Sequence, residues 1–251
     1  MEPIPQDLEH GYSMNGKVKI ALDDRWYSEP SSARGTVDYS EELVNSFMDK
    51  AKDREALHYP ESDNWLYQAL DKYSIQAHNT LVIGSEEPYY EALAILNGAA
   101  VTMVEYQKIT SSHPKLNCLT AEEFPNVCQV FDSAISISSV EHSGLGRYGE
   151  ALDPDGDIAA MQELHDKLKI GGICFLAVPV GIDRILWNAH RVYGVHRFNA
   201  LVQKFSIIDS FGFQPSDFDA DELDRRNTGI LHRPGIAISA HQPVFVLQRQ
   251  E

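Results

Sequence analysis

The sequence predicts an α/β protein, a mostly parallel sheet with helices on both faces. Three observations predict it. Short apolar runs alternate with stretches whose apolar residues recur at helical spacing. The runs near residues 81–83, 101–104 and 130–140 each end on a glycine, an acid or a serine, as strands do where they feed a loop. A composition of 43% apolar and 23% charged residues over 251 positions is that of a chain with a substantial core.

Residues 1–38 are polar and rich in Pro, Ser and Gly, and read as an irregular arm with a short strand at Val18–Leu22. Residues 39–251 read as a single domain. Ser40 is a good N-cap, with Glu41 and Glu42 in the first turn of a helix carrying Leu43, Val44, Phe47, Met48 and Ala51. A second helix is expected after Ser62, with Leu66, Ala69, Leu70 and Tyr73 on one face. Leu81–Ile83 is a first strand ending at Gly84. Pro88 suits the first turn of the helix that follows, which Asn97 and Gly98 end.

Val101–Val104 form a strand closing on Glu105, residues 116–120 a short third strand, and Val130–Val140 a longer fourth. A helix over about 157–169 carries Ile158, Met161, Leu164 and Leu168 and is stopped by Gly171 and Gly172. Ile173–Val178 is a fifth strand. A helical stretch is expected from there to about residue 204. Ser206–Ser210 and Pro243–Gln248 close the sheet, joined by a long loop over 214–240.

The net charge is −16, which argues against nucleic acid and anionic membranes as partners, since both select clustered Lys and Arg. Cys118, Cys128 and Cys174 show no CxxC spacing and read as buried, reduced thiols. The first ten residues lack a basic segment followed by an apolar one, and no apolar run approaches the ~20 residues that span a bilayer. A cytoplasmic protein is expected. No nucleophile elbow, phosphate loop, HExxH or paired-Cys zinc site is present, so hydrolase, NTPase and zinc-enzyme readings lack their motifs.

Ligands of open parallel sheets bind beyond the carboxyl ends of the strands. The first stretch placed there is Gly84-Ser85-Glu86-Glu87-Pro88. A dinucleotide loop would want two more glycines where Glu86 and Pro88 stand, and the two carboxylates would repel a pyrophosphate. They suit a sulfonium ligand, or else only favour the helix N-terminus. Glu105, 21 residues after Gly84, is placed to take the ribose hydroxyls of an adenosine-type cofactor.

The third stretch, 138–149, gathers Glu141, His142, Arg147 and Tyr148 in a glycine-rich loop. His142 is a candidate base near neutral pH, the alternative being that it braces the loop. Just downstream, Leu152–Asp157 has its glycine in the wrong place for a calcium loop and reads as a turn before an Asp157 N-cap. The fourth stretch, 178–194, crowds Asp183, Asn188, His190, Arg191 and Tyr193 together. If helical, Asn188 and Arg191 share a face, and Arg191 suits a carboxylate or phosphate on a substrate. A charged surface face is the alternative.

The segments SSVEHSGLGRYGEALDPDGDIAAM, LKIGGICFLAVPVG and DRILWNAHRVYG, with LVIGSEEPYYEALAIL before them, resemble the family called domain of unknown function 268, over about residues 79–213. That family is similar in fold to class I methyltransferases. The resemblance implies a Rossmann-like, methyltransferase-type domain and S-adenosylmethionine as cofactor. Gly84 then matches the first glycine of the methyltransferase loop, Glu105 the ribose-binding acid, and His142 the histidine of a Glu-His pair after the fourth strand. Val82 stands where those enzymes carry an acid, and two loop glycines are missing.

The expected function is S-adenosylmethionine-dependent methyl transfer to a small polar molecule, a sugar or an acid. Gly84, Ser85 and Glu105 would bind the cofactor. His142 and His190 would be catalytic, and Arg147, Tyr148, Asn188 and Arg191 would hold the small-molecule acceptor. The alternative is a binding or regulatory module on the same fold without catalysis. An NAD-linked sugar-modifying enzyme fits the fold but not Glu86 and Glu87.

Overall fold

A computed structural model describes residues 3–22, 27, 35–221 and 241–250. The chain opens with α1 (Glu9–Tyr12), β1 (Lys19–Leu22), β2 (Val37–Tyr39), α2 (Glu41–Lys52) and α3 (Pro60–Lys72). Then come β3 (Asn79–Ile83), α4 (Tyr89–Leu96), β4 (Ala100–Glu105), β5 (Ile109–Ser111), β6 (Leu116–Thr120) and β7 (Phe131–Ile137). It closes with α5 (Gly156–Lys167), β8 (Leu168–Ala177), β9 (Arg184–Trp187), β10 (His190–Val192), α6 (Val195–Leu201), β11 (Phe205–Phe211) and β12 (Val244–Arg249).

Among the described residues, seven strands form the main sheet in the order β11-β12-β8-β7-β3-β4-β6. β3, β4, β6, β7 and β8 are parallel, and β12 lies antiparallel between β8 and β11. Successive side chains on a strand point to opposite faces, so the register writes two apolar rows across the sheet. Met103, Val82, Ile135, Phe175 and Val246 align on one face and pack with Val44, Phe47, Leu66 and Leu93 of α2–α4. Leu81, Ala134, Cys174 and Leu247 align on the other, against Met161 and Leu164 of α5 and Phe198 of α6. The α/β sheet with helices on both faces is as expected. Among the described residues no helix is long and apolar enough to cross a membrane.

Ser40 caps α2 as read, its Oγ accepting the Leu43 N–H at 3.2 Å. Several other expectations need correction. α3 starts at Pro60 rather than after Ser62, because Asp63 accepts the N–H groups of Leu57, His58 and Tyr59 and closes the preceding turn. Gly171 and Gly172 do not stop a helix: they lie inside β8, beside its register shift against β7. α5 begins at Gly156 with Asp155 at the cap position, and Asp157 is buried instead of capping. Cys128 is exposed, whereas Cys174 is buried and Cys118 half-buried.

The largest correction concerns residues 184–192. They form the hairpin β9–β10, not a helix, so Asn188 sits in its turn and Arg191 on a strand. β1 pairs in parallel with β9 and makes a three-stranded sheet. Trp187 and Ile185 there pack with Tyr12, Val18 and Leu145, and Tyr12 meets Trp187 edge-on at 5.0 Å. A distant partner strand decides the conformation of 184–187, as strand preference depends on what is packed alongside. β2 pairs with β5, a contact that neither segment's composition announced. The loop expected over 214–240 contains a 3-10 turn at Pro215–Asp219, and its part from 222 to 240 lies outside the described residues.

Candidate functional site

β3 and β7 are neighbours, yet the chain leaves β3 towards β4 on the other side. Their carboxyl ends therefore frame the crevice where open α/β sheets take ligands. A cavity of about 350 Å³ lies there, with Gly84, Ser85, Glu105, His142, Arg147 and Tyr148 in its wall. A smaller apolar slot of about 100 Å³, walled by Ile83, Val104, Phe124 and Val140, shares Gly84, Glu105, Tyr106 and Ser139 with it. The two adjoin along these four residues, the narrow one mainly apolar and the wide one of mixed polarity.

Gly84 makes the sharp exit from β3. Its φ is +73°, and a side chain there would collide with Ser139 Oγ at the end of β7. Its N–H donates to Val104 O at 3.1 Å, which fixes the loop against β4. Glu105 ends β4 at the meeting point of cavity and slot. Its Oε2 accepts the Ser85 N–H at 3.1 Å and its Oε1 the Tyr106 N–H at 2.7 Å. Both oxygens are thus aimed by backbone. Tyr39 on β2 donates from its hydroxyl to Ser85 O at 2.9 Å and brings the start of the chain to the cleft.

The wide cavity is built by the loop after β7. His142 Nδ1 lies 2.7 Å from Ala189 O in the β9–β10 turn. A carbonyl only accepts, so Nδ1 carries the ring proton and Nε2 is the bare nitrogen. Burial, then the charge of Arg147, pushes the pKa of His142 down to about 3. The ring is neutral at pH 7. Glu150 shapes the GRYG turn by accepting the N–H groups of Gly146 and Tyr148. Tyr148 stacks on Tyr106 at 5.9 Å, which places two rings side by side at the cleft. Arg147 lies 4.6 Å over the ring of Tyr27.

Of the nine residues to which the sequence assigns a binding or catalytic role, six meet in the cleft and three lie behind its wall. Asn188 is buried, accepting from Tyr27 N at 3.0 Å and donating to Tyr27 O at 2.6 Å. His190 packs its ring 6.3 Å from His142 without entering the cavity wall. Arg191 is fully buried and donates to the carbonyls of Ser143 (2.6 Å), Glu141 (3.3 Å), Pro154 (3.3 Å) and Asp153 (3.4 Å). It is the fixed post of the 141–154 loop, which corrects its reading as a substrate contact. The loops after β7 and β8 do converge, but by these internal bonds.

Reasoning from sequence missed Tyr39, Tyr59 and Tyr106 in the wall. Tyr106 was in plain view, as the residue after the strand-end acid. Tyr39 and Tyr59 come from segments whose placement depends on β2–β5 pairing and on the Asp63 turn, and no local signal marks them.

Residues 77–238 match the family described as Caenorhabditis protein of unknown function, DUF268. No curated protein matches. Among solved structures, a Burkholderia thailandensis 1,6-didemethyltoxoflavin-N1-methyltransferase with bound 1,6-didemethyltoxoflavin and S-adenosylhomocysteine is similar at 15% identity and a TM-score of 0.53, over 92% of this chain and 95% of that one. TehB from Haemophilus influenzae is similar at 10% identity and a TM-score of 0.51, over 83% and 67%. At these identities the likeness is one of fold: the chain has a methyltransferase-type fold.

Proposed function

The chain belongs to this family of proteins of unknown function, and on its methyltransferase-type fold we propose that it is an S-adenosylmethionine-dependent methyltransferase acting on a small polar molecule, a sugar or an acid. The observation that carries the reading is Glu105, whose two oxygens are aimed by backbone N–H groups at the junction of an apolar slot and a wider cavity of mixed polarity. An adenosine needs that sequence of surfaces: an apolar slot for the base and an acid for the ribose hydroxyls.

The residues present fit the cofactor at three points. Gly84, whose lack of a side chain lets the β3 loop close against Ser139, gives backbone to the cavity wall, Glu105 supplies the acceptor, and Glu86 and Glu87 in the loop suit a cationic ligand. When bound, the cofactor supplies a methyl group activated by a sulfonium. The protein's task is mainly to hold the acceptor in line with it. Arg147 and Tyr148 form the acceptor wall, and neutral His142 offers Nε2 to a proton on the acceptor. Asn188, His190 and Arg191 act as supports of that wall. Residues 39–251 make up one domain in this reading, with 1–38 as an arm, and the protein is cytoplasmic.

A second reading, a non-catalytic binding module, is favoured by one feature. Val82, in the place of the usual acid, is buried in the core, where it serves packing only. Calorimetric titration with S-adenosylhomocysteine separates the two. Binding is expected, and Glu105→Ala should weaken it about 10- to 100-fold, the loss of one or two hydrogen bonds from a charged acceptor. NAD should give no heat. No heat from S-adenosylhomocysteine at millimolar concentration would leave the binding module as the better account.

A further inference from the structure

Glu141 is a buried acid behind the cavity wall, to which methyl transfer, as described, gives no task. It follows β7 on a 3-10 turn, Val140–His142, with its side chain 1% exposed. Its Oε1 accepts from Ser138 Oγ at 2.7 Å and lies 3.7 Å from His142 Nε2. Its Oε2 has no hydrogen-bond partner among the described residues. Ser138 holds the left-handed region at φ +51° without being a glycine, a strained position that aims its hydroxyl at Glu141.

The hydrogen bonds run in one direction. Ser138 has a single hydroxyl hydrogen and gives it to Glu141. Gln242 Nε2 therefore donates to Ser138 Oγ, at 3.2 Å. His142 makes a second approach to the same carboxyl, with its bare Nε2 towards Oε1. At 3.7 Å the two atoms are just beyond hydrogen-bond reach, and a proton on either one turns their repulsion into attraction. The groups facing Glu141 are Ser138, His142 and Arg147 from its own loop, Tyr59 before α3, His190 and Arg191 on β10, Tyr193 after it, and Gln242 before β12.

We propose that Glu141 is the proton acceptor behind His142, so that the methyl acceptor is a molecule whose reacting atom sheds a proton as it is alkylated: a hydroxyl or a neutral amine, not a thioether or a carboxylate oxygen. The inference rests on the methyltransferase reading. In the step, the accepting atom bonds to the methyl carbon, and the carbon–sulfur bond breaks with its electron pair left on sulfur. The proton of the accepting atom passes to His142 Nε2 and, Nδ1 being engaged by Ala189 O, from that same nitrogen to the Glu141 carboxylate as the 3.7 Å gap between them closes; Glu141 becomes a neutral acid and returns the proton to solvent by the same route after product leaves. Burial pushes Glu141 up to about 7, against the pull of Ser138, so ionised and protonated forms coexist at neutral pH. His142, pushed far lower, relays a proton without keeping it. Glu141 acts through His142 and is in that sense a positioning residue.

The test uses the whole chain without ligand, carrying ¹³C-labelled glutamate and ¹⁵N-labelled histidine. The carboxyl signal absent from Glu141→Gln is expected to titrate between about pH 6 and 8, and His142 Nε2 should shift with the same midpoint. Ser138→Ala, which removes the bond that favours the carboxylate, should move both midpoints upward together. A Glu141 midpoint in the ordinary carboxylate range, or a His142 shift with a different midpoint, overturns the inference. Given labelled S-adenosylmethionine and a panel of small molecules, the protein should label alcohols or amines; labelling of thioethers or carboxylates alone overturns the acceptor class. Unlinked titrations with intact S-adenosylhomocysteine binding sink this inference only. Absence of that binding sinks the methyltransferase reading and the acceptor class with it.

Discussion

Asp157→Asn is expected to cost about 3–5 kcal/mol of folding stability at pH 7, among the largest single losses open to this chain. Asp157 is fully buried at the start of α5. Its Oδ1 accepts from Arg197 Nη2. Its Oδ2 accepts from Arg197 Nε at 3.0 Å and from the Tyr193 hydroxyl at 2.9 Å, with Arg191 Nε 3.6 Å away. Burial alone would raise its pKa, but Arg191 and Arg197 outweigh burial and hold it below its ordinary 3.8. An asparagine keeps the shape and removes the charge, leaving two buried guanidinium groups short of their anion. Because the folded pKa lies below the unfolded one, the carboxylate's contribution is complete above about pH 4 and is lost as pH falls through the folded value. Urea unfolding of the two proteins at pH 7 and pH 3 measures this. The gap should narrow at pH 3, and a loss under about 1 kcal/mol at pH 7 would contradict a desolvated cluster.

That cluster also explains why the cleft stands as it does. Arg191, held by Asp157, grips four carbonyls between Glu141 and Pro154, so the loop bearing His142 is fixed from behind. Residue types alone gave a different reading. An arginine three residues from an asparagine, among histidines and tyrosines, has the look of a substrate clamp. Deciding between clamp and post requires knowing whether the side chain reaches solvent, and that depends on β9 pairing with β1 across more than half the chain.

Legibility followed the range of the forces involved. The strands with two apolar rows, β3, β4, β7 and β8, were readable because each carries its alternation within a few residues. The Gly84 turn and the strand-end Glu105 were readable for the same reason: a left-handed turn and an acid at a strand's carboxyl end are local signals. The β9–β10 hairpin, the β2–β5 pair and the place of Tyr39 and Tyr59 in the cavity wall are products of pairing between segments far apart in sequence, and no window of the sequence contains them. Asp157 is an intermediate case. Its position next to Gly156 announces a helix start, but its role is set by two arginines of β10 and α6.

A second buried acid is expected to make the protein more stable in mild acid than at pH 8, and Glu91→Gln should abolish most of that difference. Glu91 is in the first turn of α4 with no exposed surface, and neither of its oxygens has a hydrogen-bond partner among the described residues. It lies beside Ser85, Tyr39 and Cys118, beneath the wall of the cleft, with the charge of Glu105 nearby. Burial, joined by Glu105, pushes its pKa up to about 7 from an ordinary 4.5. The sign follows directly. Between those two values the unfolded chain has released the proton and the folded chain still holds it, so stability falls as pH rises through this window and levels off above it. A rise of that size corresponds to a penalty on the order of 3 kcal/mol at pH 8. Glutamine has the same shape and never ionises. The variant should therefore match the wild type near pH 4.5 and exceed it by most of that amount at pH 8, the remaining slope being set by Glu141, raised in the same window, against His142, whose lowered pKa costs stability as pH falls below about 6.5. Urea unfolding at the two pH values decides it: stability curves for wild type and Glu91→Gln that stay parallel from pH 4.5 to 8 would mean that Glu91 meets water or a counter-charge in the folded protein.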